Sequence, residues 1–151
     1  MNRRSLLTIL AVGLAGMFLS RTSLAKGDFP EGSPHFETDY KAALASAAKA
    51  GKPVIVVFSA TWCPPCQANK KKVYPSDAVK PYHEKFVWAY LDVDDPANQA
   101  ASKKYQTAGL PHLEFLNAKG LSVARLLGKK DAKTLAAQLS AVLPKALPAP
   151  R

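Results

Sequence analysis

Residues 53–59 read PVIVVFS, an unbroken run of β-branched and aromatic side chains with nothing polar ahead of its final serine. A half-exposed strand alternates apolar and polar residues, whereas this run can give neither face to water. It predicts a strand buried on both sides, as in a sheet covered by helices. Directly behind it comes FSATWCPPCQANKKK, residues 58–72, which holds both cysteines of the chain. Pro64 and Pro65 suit the first positions of a helix, where backbone amides have no internal partner to lose. Cys63 is thereby placed at a helix N-terminus.

The rest of the chain fits the same architecture. Residues 39–51, DYKAALASAAKAG, place Tyr40, Ala43, Leu44 and Ala47 at helical spacing, with Thr38 or Asp39 as cap and Gly51 as stop. QANKKKV extends the helix after the cysteines as far as Pro75, and SDAVKPYHEKF predicts a further short helical stretch capped by Ser76 or Asp77. FVWAYLDV is a strand in which Trp88 is core, and His83 ahead of it is a surface residue. Residues 96–109, PANQAASKKYQTAG, are predicted helical up to the glycine. LPHLEFLN and LSVARLL are strands close enough across NAKG for an antiparallel hairpin. DAKTLAAQLSAVL closes the fold as an amphipathic helix with Leu135, Leu139, Val142 and Leu143 on one side. The order α-β-α-β-α-β-β-α implies an α/β fold: a mixed central sheet in three α/β/α layers.

Compartment decides how a cysteine pair is to be understood. Residues 1–25 have basic Arg3 and Arg4, an apolar run from Leu6 to Leu19 and a small-residue ending at Ala25, the three parts of an export signal. The apolar run falls short of the roughly 20 residues of a membrane-spanning helix, so cleavage is expected and no span remains afterwards. The paired arginines suit a twin-arginine route as well as the general secretory one. Residues 26–35 form a Gly- and Pro-containing tether, 36–143 the domain, and 144–151 a Pro-rich tail. The signal carries Arg3, Arg4 and Arg21 and no acid, so its removal lowers the formal net charge from +10 to +7. The remaining lysines are spread in pairs and triplets without arginine or aromatic interleaving, which describes a solvated surface and argues against a nucleic-acid partner.

Outside the cytosol, cysteines at this spacing are expected to be oxidised part of the time. The loop they close is too short to be much of a staple. Two intervening residues let the sulfurs join or separate with little backbone movement, so dithiol and disulfide forms interconvert cheaply. The helix N-terminus favours the Cys63 thiolate and lowers its pKa below the usual ~8.5. Cys63 is then the nucleophile that forms a mixed disulfide with a substrate, and Cys66 resolves it. A structural zinc clip needs four ligands, and His35, His83 and His112 have no ligand-like spacing beside the pair. Covalent haem attachment needs a histidine where Gln67 stands. Cu(I) binding by the two thiolates and an inert interaction module stapled by a disulfide stay open as alternatives.

Phe58, Ala60, the block Trp62-Cys63-Pro64-Pro65-Cys66 and the later Gly109-Leu110-Pro111 resemble the thioredoxin family over residues 36–143. The wider context GKPVIVVFSATWCPPC, VYPSDAV and GLPHLEFLNAKG is most similar to exported thioredoxins and to the C-terminal domain of the disulfide-interchange protein DsbD. The resemblance implies a thioredoxin fold with a cis Leu110–Pro111 bond against the cysteines. It implies that the Leu110 backbone pairs with an extended client segment and that Trp62 covers the rim of the pair. It further implies a monomeric, periplasmic protein that reduces client disulfides, needs no bound cofactor and draws electrons from a membrane-embedded donor. Oxidant or isomerase activity in the same compartment is the alternative.

Two features depart from the family pattern. The buried carboxylate and its lysine partner on the next strand are replaced by Val57 and Tyr90, and an acid found after the second cysteine in DsbD-like domains is replaced by Lys70. His112 and Glu114, which alternate with Leu113 and Phe115 and so share a face, are therefore candidate proton acceptors, and Lys70 a candidate stabiliser of the Cys66 thiolate. Pro64 stands where the family usually has glycine. It removes an amide donor that could solvate the Cys63 thiolate, which favours a reductant over a strong oxidant.

Overall fold

The computed structural model describes residues 28–147. The expected signal, the first two tether residues and residues 148–151 of the tail lie outside the described residues. Nine elements follow one another: β1 (Phe36–Glu37), α1 (Tyr40–Ala50), β2 (Val54–Ser59), α2 (Pro64–Ala68), β3 (Val87–Asp92), α3 (Gln99–Lys104), β4 (His112–Leu116), β5 (Ser122–Leu127) and α4 (Ala132–Ala146). The sheet order is β1-β3-β2-β4-β5. The first three strands run parallel, while β4 is antiparallel to both β2 and β5. Strand β2 is central and every one of its residues is buried, as its apolar run requires.

Alternation along β2 sends its side chains into two cores. Ile55 and Val57 join Trp88, Leu113, Phe115 and the apolar side of α4, whereas Val54, Val56 and Phe58 face Ala43 and Ala47 of α1 and Ala101 of α3. Helices thus cover both faces, giving the three-layer α/β/α arrangement. Among the described residues no helix is long and apolar enough to cross a membrane.

Local chemistry accounts for most boundaries. Asp39 caps α1 by accepting from the Ala42 amide at 2.7 Å, and Gly51 ends it at φ 64°. Asp131 caps α4 by accepting from Thr134. In the hairpin turn, the Asn117 side chain accepts from the amides of Lys119 and Leu121, both at 3.0 Å.

Four details differ from the sequence expectation. Phe36–Glu37 form a short strand, and Phe29, in the expected tether, stacks on Phe36 with ring centroids 4.4 Å apart. So short a strand has no periodicity to betray it; pairing with β3 and the buried Phe36 ring hold it. The stretch before β3 is a 3-10 helix, Lys80–Lys85, with no side-chain cap. Ser76 instead donates to the Val73 carbonyl, and Asp77 pairs with Lys80. Helix α3 stops at Lys104, short of Gly109, because the chain turns through a left-handed Gln106 (φ 50°). Helix α4 runs through Pro144 to Ala146, whose side chain is buried in the core, so the start of the expected tail is helix.

Candidate active site

Strand β2 ends at Ser59, and Ala60 and Thr61 turn the chain into α2. The turn is held by the Cys63 amide donating to the Ala60 carbonyl at 3.3 Å and by the Gln67 side-chain amide donating to the same oxygen at 2.9 Å. Cys63 is the N-cap of α2, with Pro64 and Pro65 opening the helix. The two sulfurs are bonded, 2.08 Å apart, across a Cα–Cα distance of 5.3 Å. Both cysteines are buried and pack with Ala60, Val93 and Leu110.

The prolines shape the electrostatics of this helix start. Residues 64 and 65 have no amide hydrogen, and the Gln67 amide is used by the Cys63 carbonyl at 3.1 Å. The Cys66 amide is then what the first turn still offers to a thiolate on Cys63. A continuous π-helical turn, Asn69–Val73, carries the chain on from α2. In it, the Lys70 ammonium lies 4.5 Å from the Phe29 ring centroid and 5.8 Å from that of Tyr90. Lys70 therefore faces the aromatic N-terminal arm, and among the described residues no hydrogen bond or ion pair ties it to the cysteines.

Across from the pair, the Leu110–Pro111 bond is cis. The Pro111 carbonyl accepts from Gly128 at 2.8 Å, whereas among the described residues the N–H and C=O of Leu110 make no hydrogen bond. Beside the pair opens a groove of about 410 Å³ whose wall is made by residues 62–65 of the cysteine turn, Val93 and residues 107–110. Trp62 is 66% exposed on its rim, and its indole N–H donates to Asp94 at 2.6 Å. The structure thus brings Trp62, Cys63, Pro64, Pro65, Cys66 and Leu110 together, with Pro111 adjoining.

His112 and Glu114 are placed elsewhere. Both are buried in β4, opposite Phe58 and Val56, so they occupy the face that α1 and α3 cover. The π turn after α2 sends Val73 into the opposite core. His112 and Glu114 bind each other at 2.7 Å, and among the described residues neither makes a hydrogen bond to the cysteines. At the departed positions, Val57 sits directly across from Tyr90 in the register, and the Tyr90 hydroxyl bonds Ser59 at 2.6 Å. Burial pushes the Tyr90 phenol above its ordinary pKa, partly offset by the bond to Ser59.

Sequence reasoning did not find Ser59, Gln67, Asp94 or Arg125. Ser59 meets Tyr90 across paired strands, Gln67 folds back on the turn at Ala60, and Asp94 reaches Trp62 from the loop after β3, none of which a local pattern announces. Arg125 was accessible, because the hairpin register sets it directly opposite Glu114.

Residues 35–118, more than half the chain, match the thioredoxin-like family. The Synechocystis thiol:disulfide interchange protein TxlA homolog is 27% identical over 142 residues, covering 93% of this chain and 76% of that protein. The thioredoxin structure from Thermus thermophilus superposes with a TM-score of 0.68 at 30% identity, over 76% of this chain and 90% of that one. The C-terminal domain of Neisseria meningitidis DsbD, in its oxidised form, gives 0.59 at 25% identity, over 71% and 98%. With its Cys63–Cys66 disulfide at the helix start and a cis proline across the groove, this chain belongs to the thioredoxin-like family of thiol:disulfide oxidoreductases.

Proposed function

We propose that the protein is exported to the periplasm and reduces disulfides in client proteins there. The observation that carries this reading is the placement of a cysteine pair, already shown able to bond, beside an apolar groove and an unengaged backbone segment at Leu110. An extended client segment can pair with that backbone as a strand would, bringing its own disulfide to Cys63.

In the reduced protein, the Cys63 thiolate attacks one client sulfur. A Cys63–client bond forms, the client disulfide breaks, and the other client sulfur leaves as a thiolate and takes a proton. The Cys66 thiol loses its proton and attacks the Cys63 sulfur, forming Cys63–Cys66 and releasing the second client thiolate. The client has gained two electrons and the protein has lost two. A dithiol donor must then return them, and the similarity to DsbD supports a membrane-embedded one. The reductant direction rests on Pro64 and Pro65: with so few amides facing Cys63, the thiolate form gains less than in a strong oxidant. The export pattern in residues 1–25 supports the location.

Trapping tests the reading. A reduced Cys66→Ser variant, unable to resolve, is expected to accumulate a mixed disulfide through Cys63 with native, disulfide-bonded insulin, and Cys63→Ser none. If neither variant traps a client and the native protein does not turn over insulin, the disulfide is an inert staple and the proposal is wrong.

A further inference from the structure

Glu114 interrupts the apolar face of β4, is 1% exposed, and is not used by the exchange reaction. A buried carboxylate is tolerated only when its acceptor positions are filled. Here Oε1 accepts from the Ser122 hydroxyl, while Oε2 accepts from Arg125 Nε at 3.1 Å and contacts His112 Nε2 at 2.7 Å. Arg125 also reaches beyond the carboxylate. Its Nη2 donates to the Tyr105 carbonyl at 3.2 Å, so one rigid guanidinium fork joins β5 to the end of α3.

Those attachment points bracket the groove wall. Tyr105 is the C-cap of α3, after which Gln106 turns the chain in a left-handed conformation and residues 107–110 form the wall. Pro111 and His112 follow. Among the described residues, the backbone groups of Ala108, Gly109 and Leu110 make no hydrogen bond to the rest of the chain. The wall is secured at its two ends: at its start the Thr107 amide donates to the Ser102 carbonyl at 3.1 Å and Arg125 reaches the Tyr105 carbonyl, and at its finish Gly128 donates to Pro111 and His112 meets Glu114; the side-chain tie at each end leads to Glu114.

We infer that Glu114, Arg125 and His112 form a positioning network that holds the Thr107–Leu110 wall at the distance from Cys63 that a client segment requires. They act through the backbone, by position and not by proton transfer. The inference rests on the reading of the groove as the client site.

Arg125 is the residue to change, because its side chain is 44% exposed and its loss leaves Glu114 with Ser122 and His112. The purified full chain would be compared with Arg125→Met, Arg125→Lys and Glu114→Gln in three measurements: insulin reduction over a range of pH, reduction of a small aryl disulfide, and hydrogen exchange of the bonded amides of residues 105–107, which lead into the wall. Arg125→Met is expected to raise KM for insulin about 3- to 10-fold, to accelerate exchange at residues 105–107 and to leave small-disulfide reduction and the pH profile as in the native chain. Arg125→Lys, whose single ammonium reaches one acceptor at a time, is expected to recover only part of the KM. Native KM and native exchange in Arg125→Met would overturn the inference. So would a shifted pH profile with unchanged KM in Glu114→Gln, which would make Glu114 a proton-transfer group. If the native chain does not reduce insulin, the proposed function fails, while exchange at residues 105–107 still decides whether the network holds the wall.

Discussion

Between the sheet and α4, large rings fill the space: Phe36 meets Trp88 and Tyr74 edge-on, each at 5.9 Å between centroids. On the other face α1 approaches on Ala43 and Ala47, both essentially inaccessible, and the buried volume beside β4 holds His112 and Glu114. The two faces are stabilised by different means. Rings bury much apolar area and anchor the fold by the hydrophobic effect, whereas alanines let a helix come close and leave a paired polar network tolerable. The aromatic face should therefore dominate stability. The alanine face should carry the fine adjustment of the groove.

The largest effect expected from this contrast is on Trp88. Trp88→Ala should cost about 3–5 kcal/mol and lower Tm by more than about 10 °C, read by thermal unfolding. A loss below about 1 kcal/mol would mean that the aromatic cluster does not anchor the domain. Next comes Ala47→Leu, which forces extra volume under α1 and should cost about 1–3 kcal/mol by overpacking. A neutral result in denaturant unfolding would show that the close approach of α1 is not tight.

The smaller effect is pH-dependent and involves phenols whose pKa burial raises on both faces, Tyr74 and Tyr90 on the aromatic one and Tyr105 on the other, of which Tyr74 is the most enclosed. Burial raises the phenol pKa of Tyr74 far above its ordinary value. A phenol whose folded pKa is raised contributes stability that is complete below the unfolded pKa of about 10 and is lost as pH rises toward the folded value. Stability should thus be level in Tyr74 up to about pH 10 and then decline, by about 1.4 kcal/mol per pH unit for its one proton. Tyr74→Phe should flatten that decline. Because the Tyr74 hydroxyl has no hydrogen-bond partner among the described residues, it should cost little at neutral pH. An identical alkaline slope in the variant would remove Tyr74 as its source.

The sequence made the scaffold legible where periodicity is strong or capping chemistry explicit. PVIVVFS could only be a doubly buried strand, Asp39 and Gly51 bracket α1, and NAKG closes the β4–β5 hairpin. The cysteine pair, its prolines and the groove-side Leu110–Pro111 were legible from spacing and resemblance, and the structure assembles them around one groove. What stayed hidden depends on tertiary contact. Phe36–Glu37 become a strand only by meeting β3, and α3 ends early because Gln106 turns in a conformation no local pattern announces. His112 and Glu114 share one face, as their alternation requires, but a period-2 rule does not say which face or which partners they meet there.

The central claim, that Cys63 and Cys66 form a reducing couple, is tested most directly by the equilibrium reduction potential of the pair, measured on the protein without residues 1–25 against dithiothreitol or glutathione buffers. A value near or below about −230 mV, within the range of thioredoxin-type reductants, is the predicted result. A value near about −120 mV, that of a strong disulfide-forming oxidant, would contradict it and reverse the direction of electron flow inferred from Pro64 and Pro65.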